Sequence, residues 1–181
     1  MNEHKYGICA FQCFTQEQVK EINKKVKENI RERQPSKEAA QNVNKIGEFS
    51  IVPCVPLMEL LHPWLSHCQY ANKEIFGYDI YWHFHLEALN YNVYGIGSEY
   101  GWHIDANEEK DGFDGKLTCL LNLSEGSYEG GEFKLIGIDK KIKFDSGGGL
   151  IFNSLIVHKV TPVIKGERIT LTYWAMGPSW R

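Results

Sequence analysis

The 181-residue sequence is short of several features that would place a protein in a familiar class. Its five cysteines form no CxxC pair, and their odd number argues against a disulfide framework or a cysteine-based zinc site. We interpret them as free thiols in a reducing compartment. No segment concentrates lysine and arginine, and the net charge is −3, so nucleic acid is not an expected partner.

Long apolar runs are also missing from the sequence. No window approaches the length of a membrane span. Glutamine and glutamate interrupt the apolar residues near the start of the sequence, so no signal peptide is expected. We therefore expect a cytoplasmic protein that does not associate with a membrane.

The composition that is present suits one folded domain. Apolar residues make up 43% of the sequence, which allows a packed core in a chain of this length. No internal repeat, low-complexity tract or long linker divides the chain. We predict a single domain over residues 1–181, with a helical front at about 14–76 and a β-rich core at about 78–176. The sequence gives no indication of the oligomeric state.

Two segments of the front are predicted to be helices. In the first, Thr15 and Gln18 have the form of a capping box, and apolar residues recur at helical spacing until Pro35 closes the segment. These apolar residues are Val19, Ile22, Val26 and Ile30. The second helix is predicted over residues 56–76, with Gly77 as its C-terminal cap and with Pro63 causing a kink or a break.

The remainder of the chain has the pattern of β structure. Short runs of aromatic and β-branched residues alternate with clusters of glycine, aspartate, asparagine and serine. The candidate strands are residues 80–86, 88–94, 116–123, 132–135, 140–144, 149–152, 158–163 and 169–175. Strands this short and this frequent predict a sandwich or barrel, with the two helices packed against its outside.

Two histidines and one aspartate are the strongest candidates for a metal site. His103 and Asp105 lie two positions apart, so on an extended segment their side chains point to the same side. His158 follows much later, at the start of a candidate strand. Two histidines and a carboxylate on one face of a metal form the facial triad of non-haem Fe(II) oxygenases, although zinc also accepts such ligands.

Arg168 comes directly before a candidate strand that is otherwise largely apolar. An arginine in that position commonly extends its head into solvent. Beside a metal triad another interpretation is favoured, because an inward-facing guanidinium needs an anion and a carboxylate fits it with two hydrogen bonds. Thr170 and Thr172 share the face of Arg168 on an extended strand, so the hydroxyl of Thr172 is a candidate to bind the same carboxylate.

Taken together, these stretches resemble the Fe(II)/2-oxoglutarate dioxygenase family, and within it the prolyl 4-hydroxylase-like branch with bacterial and phage-type members. The resemblance covers roughly residues 71–180, and its motifs occur in the family's order. The matching motifs lie at residues 94–105, 117–123, 130–133, 150–153, 158–163, 166–168 and 174–178.

The resemblance implies a mainly β fold with flanking helices, a double-stranded β-helix of the jelly-roll, cupin-like type. It also implies an enzyme that uses Fe(II), O2 and 2-oxoglutarate to hydroxylate a C–H bond, with succinate and CO2 as co-products. Ascorbate is the expected reductant. A prolyl residue, or another side chain on a protein or peptide, is the favoured substrate.

The family's site residues can be carried over to matching positions of this sequence. The iron ligands correspond to His103, Asp105 and His158, and no further catalytic residue is assigned. Arg168 corresponds to the anchor of the far carboxylate of 2-oxoglutarate. The other residues expected to line the co-substrate pocket are Thr172, Tyr94, Trp174 and Asn122, the last in a register where some prolyl hydroxylases have a tyrosine.

Three other functions stay open at this point. The same oxygenase chemistry could act on a small molecule. A jelly roll could keep the metal for structure or ligand binding without catalysis. A zinc hydrolase could use the same three ligands, but Arg168 argues against it, as does the lack of an obvious general base beside them.

Overall fold

The computed structural model describes residues 8–35, 44–81, 88–106, 113–138 and 142–179. Two α-helices lie in these ranges, α1 (Gln16–Glu28) and α2 (Met58–Ala71). The first seven strands are β1 (Ile8–Gln12), β2 (Glu32–Pro35), β3 (Lys45–Ile46), β4 (Glu48–Pro53), β5 (Ala88–Tyr94), β6 (Glu99–His103) and β7 (Phe113–Asn122). The remaining strands are β8 (Glu129–Gly130), β9 (Phe133–Leu135), β10 (Gly148–Asn153), β11 (His158–Val160), β12 (Val163–Lys165) and β13 (Arg168–Pro178).

The strands form two main sheets and one small one. The large sheet has the order β1-β10-β7-β13-β5-β4-β2, and the second sheet has the order β3-β6-β11-β9. Strands β12 and β8 pair separately. The pairings are antiparallel, and sequence-distant strands lie side by side, as in a jelly roll. The predicted mainly β jelly-roll fold with flanking helices is therefore confirmed.

Two separate apolar cores stabilise this arrangement. One lies between the large sheet and the helices and includes Val19, Leu61, Trp64 and Leu121. The other lies between the large and the second sheet and is smaller, with members from β1, β7, β9, β10 and β11. The second core fills only part of the space between the sheets. The remaining interior is lined by polar side chains, which form the site described below.

The first helix begins as the sequence predicts. Thr15 accepts a hydrogen bond from the backbone of Gln18, and the Gln18 side chain bonds back to Thr15, so the capping box is formed. The helix ends at Glu28, earlier than predicted, and residues 32–35 form strand β2 beside β4. The prediction that the helical segment extends to Pro35 is therefore wrong.

The second helix is continuous through Pro63, so a break at that residue does not occur. A 3-10 turn, Val55–Leu57, leads into α2, and a π turn, Asn72–Phe76, follows it. Gly77 then adopts a left-handed conformation with φ of 70°, which confirms the predicted glycine cap.

The candidate strands in the second half of the chain agree well with the structure. Residues 88–94, 116–123, 132–135, 149–152 and 169–175 correspond to β5, β7, β9, β10 and β13, within a few residues at their ends. Residues 158–163 divide into β11 and the start of β12, and residues 142–144 are irregular rather than extended. Most of candidate strand 80–86 lies outside the described residues, and residues 80 and 81 are not in a strand.

Strands β1 to β4, β6 and β8 were not predicted from the sequence. Strands β2, β3 and β4 fall within the segment expected to be a helical front, so that segment also contributes to both main sheets. The division into front and core remains a proposal. The five cysteines are free thiols, as predicted. No helix in the described part of the chain combines the length and the apolar character that crossing a membrane would require.

Candidate metal and co-substrate site

The three predicted metal ligands lie together at one end of the second sheet. His103 ends β6 and His158 begins β11, and the two residues are direct partners across this antiparallel pair. Asp105 follows β6 in an irregular segment. Its Oδ1 lies 3.3 Å from His103 Nε2, and its Oδ2 lies 3.4 Å from His158 Nε2. Sheet pairing thus joins ligands that are far apart in the sequence.

Both imidazoles are held so that the same nitrogen faces the aspartate. His103 Nδ1 donates to the Gly101 carbonyl at 2.7 Å, and His158 Nδ1 donates to the Ile156 carbonyl at 2.8 Å. Because a carbonyl accepts only, Nδ1 carries a proton in each ring, and Nε2 is the nitrogen at which a metal can bind in place of a proton. The Tyr100 ring stacks on His103, with centroids 3.5 Å apart, and restricts its rotation.

Asp105 is fixed by neighbours on the large sheet. Thr118 Oγ1 donates to Asp105 Oδ2 at 2.8 Å, and the Asp105 backbone amide donates to the Ser154 carbonyl at 2.9 Å. Burial by itself would raise the pKa of Asp105, but hydrogen bonds from His103 and His158 and their charge outweigh it and hold the pKa well below its usual range. The carboxylate is therefore ionised and available as a ligand.

The spacing of these groups suits one metal ion. Two ligand atoms that are each about 2.1 Å from an ion and at right angles to each other lie roughly 3 Å apart. The separations of 3.3 and 3.4 Å between aspartate oxygens and imidazole nitrogens are close to that value. Within the described ranges, this is the one group of three or more histidine, cysteine or acidic residues with such spacing. The residues therefore fit a three-ligand site that leaves other coordination positions open.

Arg168 provides the strongest indication of a second ligand. It begins β13, its exposed fraction is 1%, and its Nε and Nη2 atoms have no hydrogen-bond partner among the described residues. Its guanidinium carbon lies 5.3 Å from the Tyr94 ring centre and 5.8 Å from that of Phe144. Aromatic rings stabilise the charge only partly, and a buried guanidinium with unused donors fits a carboxylate. A side chain at Gly131 would meet Arg168 Cδ at 3.0 Å, so glycine keeps this space open.

The other predicted pocket residues lie on the same inner face. Thr170 and Thr172 are buried on β13, and Thr172 Oγ1 accepts a hydrogen bond from Asn92 at 3.1 Å. Trp174 pairs across the sheet with Thr118, the residue that holds Asp105, and its buried indole nitrogen has no hydrogen-bond partner within the described ranges. Their roles toward a co-substrate stay predictions.

Asn122 has a clear structural role. Its amide nitrogen donates to the Phe144 carbonyl at 2.7 Å and to the Tyr128 hydroxyl at 3.3 Å, and its oxygen accepts from the Ser124 backbone and hydroxyl. These bonds use all of its donors and acceptors. Asn122 thereby fixes Phe144 beside Arg168. Direct contact with a co-substrate stays a prediction.

Sequence reasoning missed two residues of the site. Thr118 lies in an apolar run, and its contact with Asp105 depends on how the sheets pack. Lys45 lies on β3 and enters the interior from the segment expected to be helical. Its Nζ donates to Asn92 Oδ1 at 2.8 Å. Burial, chiefly, lowers the pKa of Lys45 to about 8, with Asp105 acting to raise it and Arg168 to lower it.

A histidine–aspartate–histidine set at the mouth of a jelly roll, with a buried arginine farther inside, is the arrangement of the 2-oxoglutarate-dependent oxygenases. Residues 89–176 match the sequence model of the 2OG-Fe(II) oxygenase superfamily. This segment, which is just under half of the chain, carries the three candidate ligands and Arg168. The resemblance derived from the motifs is therefore confirmed.

Curated relatives are hydroxylases of one named type. A PKHD-type hydroxylase of Alteromonas mediterranea is 37% identical over 93 residues, which are 46% of this chain and 41% of that protein. A PKHD-type hydroxylase of Gloeothece citriformis is 34% identical over 94 residues, which are 49% of this chain and 42% of that protein. The chain thus spans about two fifths of the length of the curated relatives it matches.

Solved structures share the fold over nearly the whole chain. A Pseudomonas putida prolyl-4-hydroxylase superposes with a TM-score of 0.70 at 18% identity, covering 96% of this chain and 94% of that chain. The viral collagen prolyl hydroxylase of Paramecium Bursaria Chlorella virus-1, as a 2OG complex, gives 0.71 at 14% identity, covering 94% and 96%. A Trichoplax adhaerens prolyl hydroxylase in complex with a hypoxia inducible factor peptide fragment gives 0.70 at 20% identity, covering 93% and 83%. At these identities the likeness shows the fold alone.

Proposed function

We propose that this protein is an Fe(II)- and 2-oxoglutarate-dependent dioxygenase that hydroxylates a C–H bond. One observation carries the proposal: the buried Arg168, with unused donors, lies in the same polar interior as the three converging metal ligands. A metal site alone would also suit hydrolysis by zinc. An arginine placed to hold a dicarboxylate beside the metal instead favours 2-oxoglutarate as co-substrate.

The site residues form two groups, one that would bind the metal and one that would bind the co-substrate. His103, Asp105 and His158 would hold the iron, and Arg168 would hold the far carboxylate of 2-oxoglutarate, with Thr172 as its helper. When bound, Fe(II) and 2-oxoglutarate supply the oxidising chemistry that inserts one atom of O2 into a C–H bond and releases succinate and CO2. Ascorbate is the proposed reductant that keeps the iron in its ferrous state.

The rest of the pocket positions these groups and limits access by water. Tyr94 is buried against Arg168, and the sheet-to-sheet core closes one side of the interior with Leu120, Leu150 and Phe152. A dry, low-dielectric interior strengthens the pairing of the guanidinium with a carboxylate. Thr118 keeps the Asp105 carboxylate in one orientation, so that the ligand set is formed before a metal binds.

We propose a prolyl residue in a protein or peptide as the substrate. The chain has exposed apolar side chains next to the metal ligands: Trp102 and Ile104 flank His103, and Leu155 lies three residues before His158. Such a rim suits a peptide better than a small polar molecule, because aromatic and apolar surfaces pack well on a proline ring. The prolyl hydroxylase structures share the fold, which supports the same choice.

Turnover of the co-substrate tests the reaction class. Purified protein loaded anaerobically with Fe(II) should develop a visible absorption band when 2-oxoglutarate is added. With O2 and ascorbate, it should release succinate when a substrate is supplied. Protein that shows neither the band nor succinate release with a broad peptide panel would contradict the proposal. Pyruvate in place of 2-oxoglutarate is the matched control for the missing far carboxylate.

The substrate is tested by mass spectrometry. Proline-containing peptides and host lysate are incubated with the protein, and products are searched for a gain of one oxygen that requires 2-oxoglutarate. Peptides in which the modified proline is replaced by alanine should lose the gain. Oxidation confined to another side chain or to a small molecule would keep the oxygenase class but overturn the prolyl assignment.

A further inference from the structure

Thr118 makes the two oxygens of the Asp105 carboxylate unequal, which the metal ligands alone do not. Asp105 offers one oxygen to each histidine: Oδ1 lies 3.3 Å from His103 Nε2, and Oδ2 lies 3.4 Å from His158 Nε2. With separations so nearly equal, a metal could bond either oxygen or both. The Thr118 hydroxyl distinguishes them, because it donates a hydrogen bond to Oδ2 at 2.8 Å.

A second hydroxyl lies behind that of Thr118. Ser154 Oγ is 3.1 Å from Thr118 Oγ1, and both residues are fully buried. A hydroxyl has one proton to donate, and the ionised carboxylate of Asp105 can only accept. Since Thr118 donates its proton to Asp105, Ser154 must be the donor in its bond to Thr118. The result is a chain from Ser154 through Thr118 to Oδ2, in which each hydrogen bond polarises the next.

Ser154 also anchors the backbone of the aspartate. Its carbonyl accepts hydrogen bonds from the backbone amides of Asp105 at 2.9 Å and Ala106 at 3.0 Å. Its own amide donates to the Lys116 carbonyl on β7 at 3.1 Å. The main chain of Asp105 is therefore attached to Ser154, and its side chain is attached to Thr118. These two attachments restrict the rotation of the carboxylate.

The Thr118 hydroxyl is itself held in place. Thr118 lies in β7, the strand between β10 and β13, where its cross-strand partners are Phe152 and Trp174. A β-branched side chain has few allowed rotamers, and full burial beside two large aromatic residues restricts it further. Thr118 Oγ1 is therefore a fixed donor to Oδ2.

We propose that Thr118, oriented by Ser154, limits Asp105 to one bond to the metal, through Oδ1. The hydroxyl competes with the metal for Oδ2 and keeps that oxygen off the ion. Thr118 is thus a positioning residue that acts through Asp105. The inference rests on the proposed function, since it concerns the same metal site.

The number of bonds from Asp105 decides how many positions stay open on the ion. Single bonds from His103, Asp105 and His158 leave three positions of an octahedral ion open, whereas a carboxylate bound through both oxygens leaves two. A 2-oxo acid can fill two positions, with an oxygen of its carboxylate and with its keto oxygen. Only the first arrangement then keeps a position for O2.

The water bound to Mn(II) reports the open positions without turnover. Mn(II) replaces Fe(II), and the relaxation rate of water protons rises with the number of exchanging waters on the ion. Thr118→Val keeps the side-chain shape and removes the hydroxyl, Thr118→Ser keeps the hydroxyl, and Ser154→Ala removes the donor behind it. Thr161→Val is the matched control, because the Thr161 hydroxyl also serves a backbone hydrogen bond, from Glu132 at 2.9 Å, but lies outside the chain of hydroxyls.

Thr118→Val should lose one bound water, so the inner-sphere relaxation should fall by about one third. Saturating 2-oxoglutarate should then remove the remainder in Thr118→Val, whereas the unaltered protein should retain about one third of its original value. Thr118→Ser and Thr161→Val should match the unaltered protein. Ser154→Ala should lower the relaxation by less than Thr118→Val does, because the Thr118 proton still reaches Oδ2.

Several outcomes would overturn the inference. Unchanged relaxation in Thr118→Val would mean that Oδ2 stays off the metal without the hydroxyl. Mn(II) affinity that is about 10- to 100-fold weaker, with the full number of waters, would mean that Thr118 only orients the ligand. An equal loss of water in Thr118→Ser or Thr161→Val would show that the Thr118 hydroxyl is not the cause. Unchanged relaxation in Ser154→Ala would remove Ser154 from the proposal.

Failure of the inference is distinguishable from failure of the proposed function. If the unaltered protein binds Mn(II) and 2-oxoglutarate and the Thr118 variants have the same number of waters, the oxygenase proposal stands and the inference fails. If the unaltered protein binds no Mn(II), both are overturned. Melting temperatures of the metal-free variants show which are folded, and Thr118→Ala, which also lacks the hydroxyl, replaces Thr118→Val if that variant does not fold.

Discussion

The two faces of the large sheet are built from the same strands but have opposite characters. On β13, Ile169, Leu171 and Tyr173 face the helices and belong to the larger core. The alternate residues Arg168 and Thr170 face the second sheet and are equally buried but polar. Strand β7 repeats the pattern, with Leu117, Cys119 and Leu121 toward the helices and Thr118 and Asn122 toward the interior.

This difference separates the residues that stabilise the fold from those that serve the site. The face toward the helices buries apolar area, which is the main favourable term in folding. The inner face buries donors and charges that each lose hydration, and some, such as those of Arg168, find no hydrogen-bond partner in the part of the chain that the structure describes. A surface of that kind is stabilised by its ligands, so substitutions on the two faces should affect different measurements.

The largest effect is expected at the metal end of the inner face. Asp105→Ala removes the only acidic ligand of the proposed triad and should abolish stoichiometric iron binding and all succinate release. The fold should survive, since Asp105 lies in an irregular segment rather than in either core. Iron content after anaerobic loading and gel filtration measures the loss, and circular dichroism checks the fold. A variant that retains a full equivalent of iron at unchanged affinity would refute this ligand assignment.

The matched substitution lies on the outer face of the large sheet, the face toward the helices, and it should change stability alone. Leu121→Ala creates a cavity in the larger core, where Leu121 is fully buried, and should reduce the free energy of unfolding by about 2–5 kcal/mol. The affinity of the remaining folded protein for 2-oxoglutarate should be unchanged. Urea denaturation and calorimetry at low temperature measure the two quantities. A strong loss of affinity with little loss of stability would break the proposed separation between the faces.

Arg168→Met should affect stability and binding in opposite directions. The substitution removes a buried charge with unused donors. The free energy of unfolding of the metal-free protein, measured by urea denaturation, should therefore be unchanged or higher by up to about 1–3 kcal/mol. The affinity for 2-oxoglutarate should fall at least about 100-fold, or about 3 kcal/mol. Both quantities are measured on the same preparation.

Asn122→Leu is the control for Arg168→Met on the same face. Asn122 is also buried, but all its polar atoms are bonded to neighbours, so its removal should destabilise the protein by about 1–3 kcal/mol. If Arg168→Met destabilised the metal-free protein as much as Asn122→Leu does, the guanidinium would have partners within the fold and the argument for an external carboxylate would fail.

The residues that carry the chemistry of the site were easier to predict from the sequence than the residues and strands around them. His103, Asp105, His158 and Arg168 are residue types whose spacing and order carry information, and strands β5, β7, β10 and β13 have clear apolar patterns. Thr118 was missed because its function depends on sheet packing, which no local pattern reports. Short strands such as β3 have too few residues to show a period of two.

The position of Lys45 was also not predicted from the sequence. Its sequence neighbourhood is polar, and its role depends on the pairing of β3 with β6 and on the packing of Gly47 against Tyr94. A lysine in such a segment is ordinarily a solvated surface residue. Only the fold places its ammonium beside Asn92 and the Tyr94 and Tyr100 rings, so this position could not be predicted from the sequence.

The smallest predicted effect is a pH dependence of folding stability. Lys45 should cause it, and substitutions on the outer face should not alter it. Burial, above all, sets the pKa of Lys45 at about 8 in the folded protein, with Asp105 opposing this effect and Arg168 adding to it. In the unfolded chain the value is about 10.4. Between these values the unfolded state binds more protons, so the stability of the metal-free protein should rise with pH across this window, by on the order of 2 kcal/mol from pH 8 to pH 10.

Below pH 8 the lysine is charged in both states and the unfavourable burial is fully present, so no further change from this group is expected there. Urea denaturation of the unaltered protein and of Lys45→Met across pH 7–10 measures the difference, because other titrating groups contribute equally to both. Leu121→Ala should keep the rise, since it alters the opposite face of the sheet. A rise that persists in Lys45→Met would mean that the lysine is not the group that causes it.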